Sequence, residues 1–168
     1  DARESLASVK EMSLVINGVE IRAVSSFSYS PEDETFFLPV NVLVEQLETA
    51  KIPGLFPPKL SDTDAYEWMV EKISGGRFRD IAVDIDLNVA REDYGVTLDN
   101  VIASFAFEDA RIAYKSTMHP VENATGYGRF DYRADTLEIT GESLSLNGLK
   151  SADTKVVLDY LLADGKGD

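Results

Sequence analysis

The residues that could do chemistry are few, and their spacing suits other jobs better. Asp84 and Asp86 stand two apart in an alternating stretch, so both carboxylates leave one side of a strand, where such a pair could act as acid and base on a glycosidic bond. The solvated side of an amphipathic strand has the same spacing. That account also covers Ile81, Val83, Ile85, Leu87 and Val89 between them. Glu92-Asp93 and Glu108-Asp109 read as acids in turns. One histidine, His119, precedes Pro120, and the chain has no cysteine, so only carboxylates could complete a metal site; no metal is expected. Without cysteine there is also no disulfide and no thiol nucleophile. Gly75-Gly76 and Gly126-Tyr127-Gly128 lack the strand-to-helix setting and the lysine of a phosphate loop. No Gly-x-Ser-x-Gly elbow occurs. The residues thus point to a non-enzymatic chain, with no catalytic residue and no cofactor.

Size and charge narrow the classes further. The 168 residues suit one domain, and an apolar share of 44% is enough to build a core. A formal charge of −14 repels phosphate backbones and anionic headgroups, so nucleic acid is not an expected partner, and neither is a membrane surface met through a basic patch. No stretch approaches the roughly 18 apolar residues that cross a bilayer as a helix. The chain opens on Asp1 and reads as structured from the start, which fits a piece of a longer or processed protein whose membrane contacts lie in other parts.

The elements that must position these residues are mostly strands. Met12, Leu14 and Ile16 alternate with polar or smaller neighbours, Asn17-Gly18 marks a tight hairpin, and Val19, Ile21, Ala23, Ser25, Phe27 and Tyr29 resume on one face. A third strand is expected over residues 35–43, and 44–50 is open between strand and helix. Residues 51–60 carry Pro53, Pro57 and Pro58, whose missing amides exclude a central strand and leave an ordered connector. Residues 61–74 predict the one helix: Ser61 or Asp62 can cap it, Ala65, Trp68, Met69 and Ile73 form its apolar stripe, and Gly75-Gly76 ends it. Trp68, Met69 and Ile73 are its candidate anchors.

Beyond residue 77 strands return. Val96 and Leu98 share one phase, and Val101, Ala103, Phe105 and Phe107 the other, which predicts a bulge or turn at Asp99-Asn100. Ile112 and Tyr114 are expected to begin a further strand. Gly126, Gly128, Phe130 and Tyr132 alternate next. Leu137 and Ile139 follow, Gly141 interrupts, and Leu144 and Leu146 resume out of phase before Asn147-Gly148. Residues 155–162 remain open between strand and helix. The predicted fold is mainly β with minor α: a curved antiparallel meander sheet, or sheets, with one amphipathic helix packed at a sheet end. A single module is expected, with β blocks at 5–50 and 77–162 joined by a Pro-rich link and helix at 51–76.

In this order the residues carry a resemblance. Ile52-Pro53 and Leu55-Phe56-Pro57 lead into Trp68-Met69-Val70 and then Ile73-Ser74-Gly75-Gly76-Arg77-Phe78. Phe105-Ala106-Phe107, Ala110-Arg111-Ile112-Ala113-Tyr114, Pro120, Gly126, Leu137-Glu138-Ile139 and Gly148 follow. Over residues 5–162 the chain resembles the domain of unknown function in the central part of YhdP, among the large AsmA-like proteins of Gram-negative bacteria. The resemblance implies a periplasmic protein anchored in the inner membrane, with curled β-sheets forming an apolar groove akin to chorein-type bridges that carry phospholipids. It brings no catalytic residues.

A groove for acyl chains needs a continuous row of apolar side chains on one face of a curved sheet, which period-two strands and bulges can supply. The residues expected to line it, or to line a closed core instead, are Ile81, Val83, Ile85, Leu87, Phe105, Phe107, Phe130, Tyr132, Leu137 and Ile139. The expected function is passive phospholipid transport or outer-membrane lipid homeostasis. Its partners would be acyl chains and neighbouring segments of the parent chain. The alternative is an interaction or scaffold domain of the cell envelope whose sheet face binds protein.

Overall fold

The structure, a computed structural model, describes residues 4–55, 66–113 and 117–159, with the side chains of residues 4–6, 68 and 69 outside that description. In chain order the strands are β1 (Glu4–Ile16), β2 (Val19–Ser30), β3 (Thr35–Glu48), β4 (Ile73–Ser74), β5 (Arg77–Ala90), β6 (Val96–Ile112), β7 (Val121–Asp131), β8 (Thr136–Leu146), β9 (Leu149–Ser151) and β10 (Thr154–Asp159). All belong to one antiparallel sheet in the spatial order β1-β2-β3-β5-β6-β7-β8-β10, with β4 continuing beside β6 and β9 beside β8. Along that path chain order and spatial order coincide, as in an antiparallel meander, although residues 49–76 stand between β3 and β5 in the chain. β1 and β10 are the two ends of that order, so the sheet is open and not closed into a barrel.

Local chemistry sets the turns. Asn17 (φ 51°) and Gly18 (φ 73°) join β1 to β2, and Asn147 (φ 50°) and Gly148 (φ 82°) join β8 to β9, both left-handed pairs as a two-residue hairpin demands. Pro39 lies inside β3, a central strand. The β2–β3 pairing runs from Ser25↔Val40 straight to Ser28↔Phe37, skipping the positions beside Pro39, and the Ser25 hydroxyl donates to the Pro39 carbonyl at 2.9 Å. The ladder thus opens where an amide is missing. β3 continues to Glu48, resolving residues 44–48 as strand, and β10 resolves residues 154–159 likewise.

The sequence left one sheet or several open, and the two β blocks are one: β3 pairs with β5 from Thr35↔Ala90 to Glu48↔Arg77, so the link between them leaves and rejoins at adjacent strands. Two expectations need correction. The helix expected over 61–74 is, in its described part, a six-residue π-helical turn (Glu67–Lys72), preceded by a 3₁₀ turn (Thr49–Gly54) containing Pro53. Its expected caps and Ala65 lie outside the described residues; Trp68 and Met69 fall in the π-helical turn. Ile73 is not a helical anchor but the first residue of β4, opposite Ile112. Its backbone is extended (φ −105°, ψ 125°) because the ladder to β6 captures it. Second, Glu108-Asp109 is no turn. β6 runs through it to Ile112, so no new strand begins there, and Tyr114 lies outside the described residues.

Gly75-Gly76 does interrupt a structure, but that structure is a strand. Both glycines have positive φ, 66° and 68°, between β4 and β5, while Asp109 (φ 53°) answers them on β6. A Cβ on Gly76 would sit 2.1 Å from the Glu108 carbonyl oxygen, a backbone atom that cannot step aside. Arg77 Nε and Arg79 Nη2 clamp the same kink by reaching Glu108 Oε2 and Oε1 at 2.8 and 2.7 Å. That hydrogen bond, with the carboxylate's charge, raises the Arg77 pKa above its ordinary value. Gly76→Ala combines left-handed strain with a backbone clash and should destabilise the fold by about 3 kcal/mol, read as a lower urea midpoint at unchanged m-value. A midpoint within experimental error of wild type would show that the kink does not need glycine.

Candidate functional site

Residues directly opposite one another in an antiparallel ladder project from the same face. One row crosses the whole sheet: Met12 faces Ala23, Ala23 faces Val42, then Val83, Ala103, Phe130, Leu137 and Leu158. Every member is apolar, one from each of the eight strands along the main path. Ile81, Val83, Ile85 and Leu87 lie on this face opposite Val44, Val42, Val40 and Leu38. Phe105 and Phe107 lie opposite Gly128 and Gly126, Phe130 opposite Leu137, and Ile139 opposite Val156. Tyr132 lies just past β7, its amide donating to the Val101 carbonyl at 2.9 Å. The structure therefore gathers nine of the ten predicted lining residues onto one face, with Tyr132 in the adjoining turn.

Bulges keep that face apolar where the sequence changes phase. Asp99 is skipped between the pairs Asp86↔Asn100 and Leu87↔Leu98, Asp80 (φ 51°) lies in the slip between Arg79 and Ala82, and Glu142 is skipped between Gly126↔Gly141 and Thr125↔Ser143. Each extra residue is polar, and each returns the next apolar residue to the same side. Gly126 and Gly128 leave room for aromatic rings: a Cβ at Gly128 would meet Phe105 Cζ at 2.4 Å, and one at Gly126 would meet Phe107 Cζ at 2.9 Å. The outer ends of the two rings thus occupy the space that side chains at these positions would fill.

Among the described residues, cover on this face gathers at one end. There the 3₁₀ turn is tied to the first hairpin, as Asn17 Nδ2 donates to the Gly54 carbonyl at 2.9 Å and Lys51 Nζ to the Gly18 carbonyl at 3.2 Å. Ile52, Ile73, Phe78, Phe107, Ala110 and Ala124 form a buried cluster, with Phe78 only 2% exposed and set edge-on to Phe105 at 5.3 Å. Away from that end, Val42, Val83 and Ala103 stay partly exposed although their strands are central, and Met12 is 54% exposed. Beside the cluster a groove of about 380 Å³ opens between β6 and β10, lined by Phe107, Ile112, Val121, Ala124, Ile139, Gly141, Leu144, Thr154, Val156 and Leu158. Its volume lies within the range of small-molecule sites, and Thr154 supplies its one polar side chain.

A second aromatic group marks the far end of β2 and β3. Phe27 and Phe36 stack at 5.0 Å, Tyr29 tilts against Phe36 at 4.9 Å, and Arg91 lies 5.9 Å over the Tyr29 ring while donating to its hydroxyl at 3.2 Å.

The opposite face is mostly polar, with Val24, Leu43 and Val157 exposed among its polar residues. Asp84 accepts a hydrogen bond from Asn41 Nδ2, Asp86 lies opposite Asn100, and Arg22 pairs with Glu45. Asp84 and Asp86 thus sit on an exposed, laterally paired sheet surface, as the amphipathic-strand account expects. Among the described residues no three of His, Cys, Asp and Glu converge on one point. His119 is exposed in the segment before β7.

Met12, Val42, Ala103, Val156 and Leu158 complete the apolar face and were not among the predicted lining residues. Their signal was present as period-two alternation, but it could not say which residues become neighbours across strands. No protein-family model, curated protein or solved structure matches the chain.

The uneven cover predicts uneven costs. Phe107→Ala removes a ring from the closed end and should cost about 3–5 kcal/mol, whereas Met12→Ala on the open side should cost less than about 1 kcal/mol. Paired urea titrations check this. Equal losses at the two sites would mean that the whole face is covered in solution.

Proposed function

We propose that this chain is a non-catalytic β-groove module that holds lipid tails on its apolar face, a segment of an AsmA-like protein of the Gram-negative periplasm acting in phospholipid transport or outer-membrane lipid homeostasis. The observation that carries the proposal is the unbroken apolar row from Met12 to Leu158, left half-open to water over the central strands. Eight strands give seven interstrand spacings, so the row is about 34 Å long at ~4.8 Å per spacing. One acyl tail is about 15 Å long, half of a bilayer's hydrocarbon core, so the row accommodates a tail with room to move along it. Each methylene taken out of water contributes about 0.8 kcal/mol, and a row without polar stations offers no step at which a tail must stop.

Headgroups remain in water at the margins of the face. The charge of −14 keeps the module off anionic membrane surfaces, so contact with either membrane belongs to other parts of the parent protein, anchored in the inner membrane. Neighbouring segments of that protein are its other partners, and nucleic acid is not among them. The alternative is a scaffold module with protein seated on the same face.

Native mass spectrometry of the purified chain should find phospholipid bound. Ile85→Asp should reduce that lipid at least about ten-fold while the circular dichroism spectrum is kept, because Ile85 still reaches water and the introduced charge stays solvated. Phe107→Asp, in the closed cluster, should unfold the chain instead. A chain that carries no lipid and takes up no fluorescent fatty acid after delipidation would leave the scaffold alternative standing.

A further inference from the structure

The outer edge of β1 has no strand beside it among the described residues, and its sequence is complementary to itself. β1 bonds only to β2, and residues 7–16 are exposed along their length. A long edge of this kind, with free amides and carbonyls and apolar side chains, is a template for another strand. The β1–β2 register slips between Val9 and Met12, so Lys10 and Glu11 form a bulge. That slip puts odd-numbered Ala7 and Val9 on the same apolar face as even-numbered Met12 and Leu14. Neither Lys10 nor Glu11 has an ion-pair partner among the described residues.

We propose that two copies of this chain associate edge to edge, β1 against β1 and antiparallel, about a two-fold axis normal to the sheet at the Lys10-Glu11 bulge. Such an axis keeps both apolar faces on one side. In this register Lys10 of each copy meets Glu11 of the other, Val9 meets Met12, Ala7 meets Leu14 and Ser8 meets Ser13. Ala7, Val9, Met12 and Leu14 of the face then each meet an apolar residue, and two opposite-charge pairs close the centre. The neighbouring registers fail on the same residues. A slip of one residue sets Lys10 against Lys10 or Glu11 against Glu11, and a slip of two sets Lys10 against Val9 or Ser13. The bulge, which would disturb pairing with a regular strand, here lies opposite its own copy. The result is one apolar face spanning both sheets, whatever occupies it.

Analytical ultracentrifugation of the 168-residue chain should show a reversible dimer. K10E and E11K should each weaken it at least about ten-fold, since both central pairs become like-charged. An equimolar mixture of the two should restore association, because an all-acidic edge then meets an all-basic one. As the chain has no cysteine, S8C mixed with S13C under mild oxidation should give a cross-linked heterodimer that S8C alone does not give. That cross-link reads the register even if a charge variant folds poorly. A wild-type chain that stays monomeric throughout the concentration series would overturn the proposal. So would K10E and E11K variants that self-associate like wild type, or a dimer that never yields the Ser8–Ser13 cross-link.

Discussion

The structure depends on keeping one side of the sheet apolar across eight strands whose sequences do not alternate perfectly. Period two alone would send Leu98 and Val101 to opposite faces. Skipping Asp99 brings them back together, and the slips at Asp80 and Glu142 do the same for β5 and β8. Without those slips, apolar side chains would be split between both faces, and neither could bury or bind anything. The bulged residues are acids that gain from facing water, so the irregularity costs little where it falls.

Stability and openness occupy different ends of this sheet. The kink at Gly75-Gly76, the Arg77–Glu108–Arg79 clamp and the two short helical turns gather Ile52, Ile73, Phe78 and Phe107 into the closed cluster. Phe105 and Phe107 spread over Gly128 and Gly126 to extend that packing to β7. Beyond their reach the same face carries smaller residues, Ala23, Val42, Val83 and Ala103, whose burial would need a layer that the described residues do not supply. An antiparallel sheet commonly turns one face to water, but that face is ordinarily the polar one. Here the mostly polar face is itself only partly solvated, with Arg79 Nε and Asn100 Oδ1 enclosed, and the apolar face also reaches water over the central strands.

Much of this was legible in the residues. Alternation, the Asn-Gly pairs, the prolines at 53 and 58 and the slip at Asp99 identify an antiparallel meander and place most strands. Nine of the ten residues chosen from alternation alone share the face. The end of the helix was the main misreading: Ile73 has a helical spacing to Trp68 and Met69, yet its backbone pairs with Ile112, because a ladder partner 39 positions away outweighs local periodicity. Glu108-Asp109 looked like a turn because acids favour turns, while in the fold Glu108 is the shared partner of two arginines from β5.

By itself, then, the amino-acid order determined which side chains lie on the same side of each strand, since that follows from backbone geometry within a few residues. It also determined the net charge of −14, the single histidine and the lack of cysteine. Only the tertiary structure decided that β3 and β5 join the two blocks into one sheet, that the apolar residues of all eight strands line up in a row, and that the row stays open at its centre. Those are matters of register and cover between segments far apart in the chain. Register is set by the sum of many weak cross-strand contacts, and no local pattern records it.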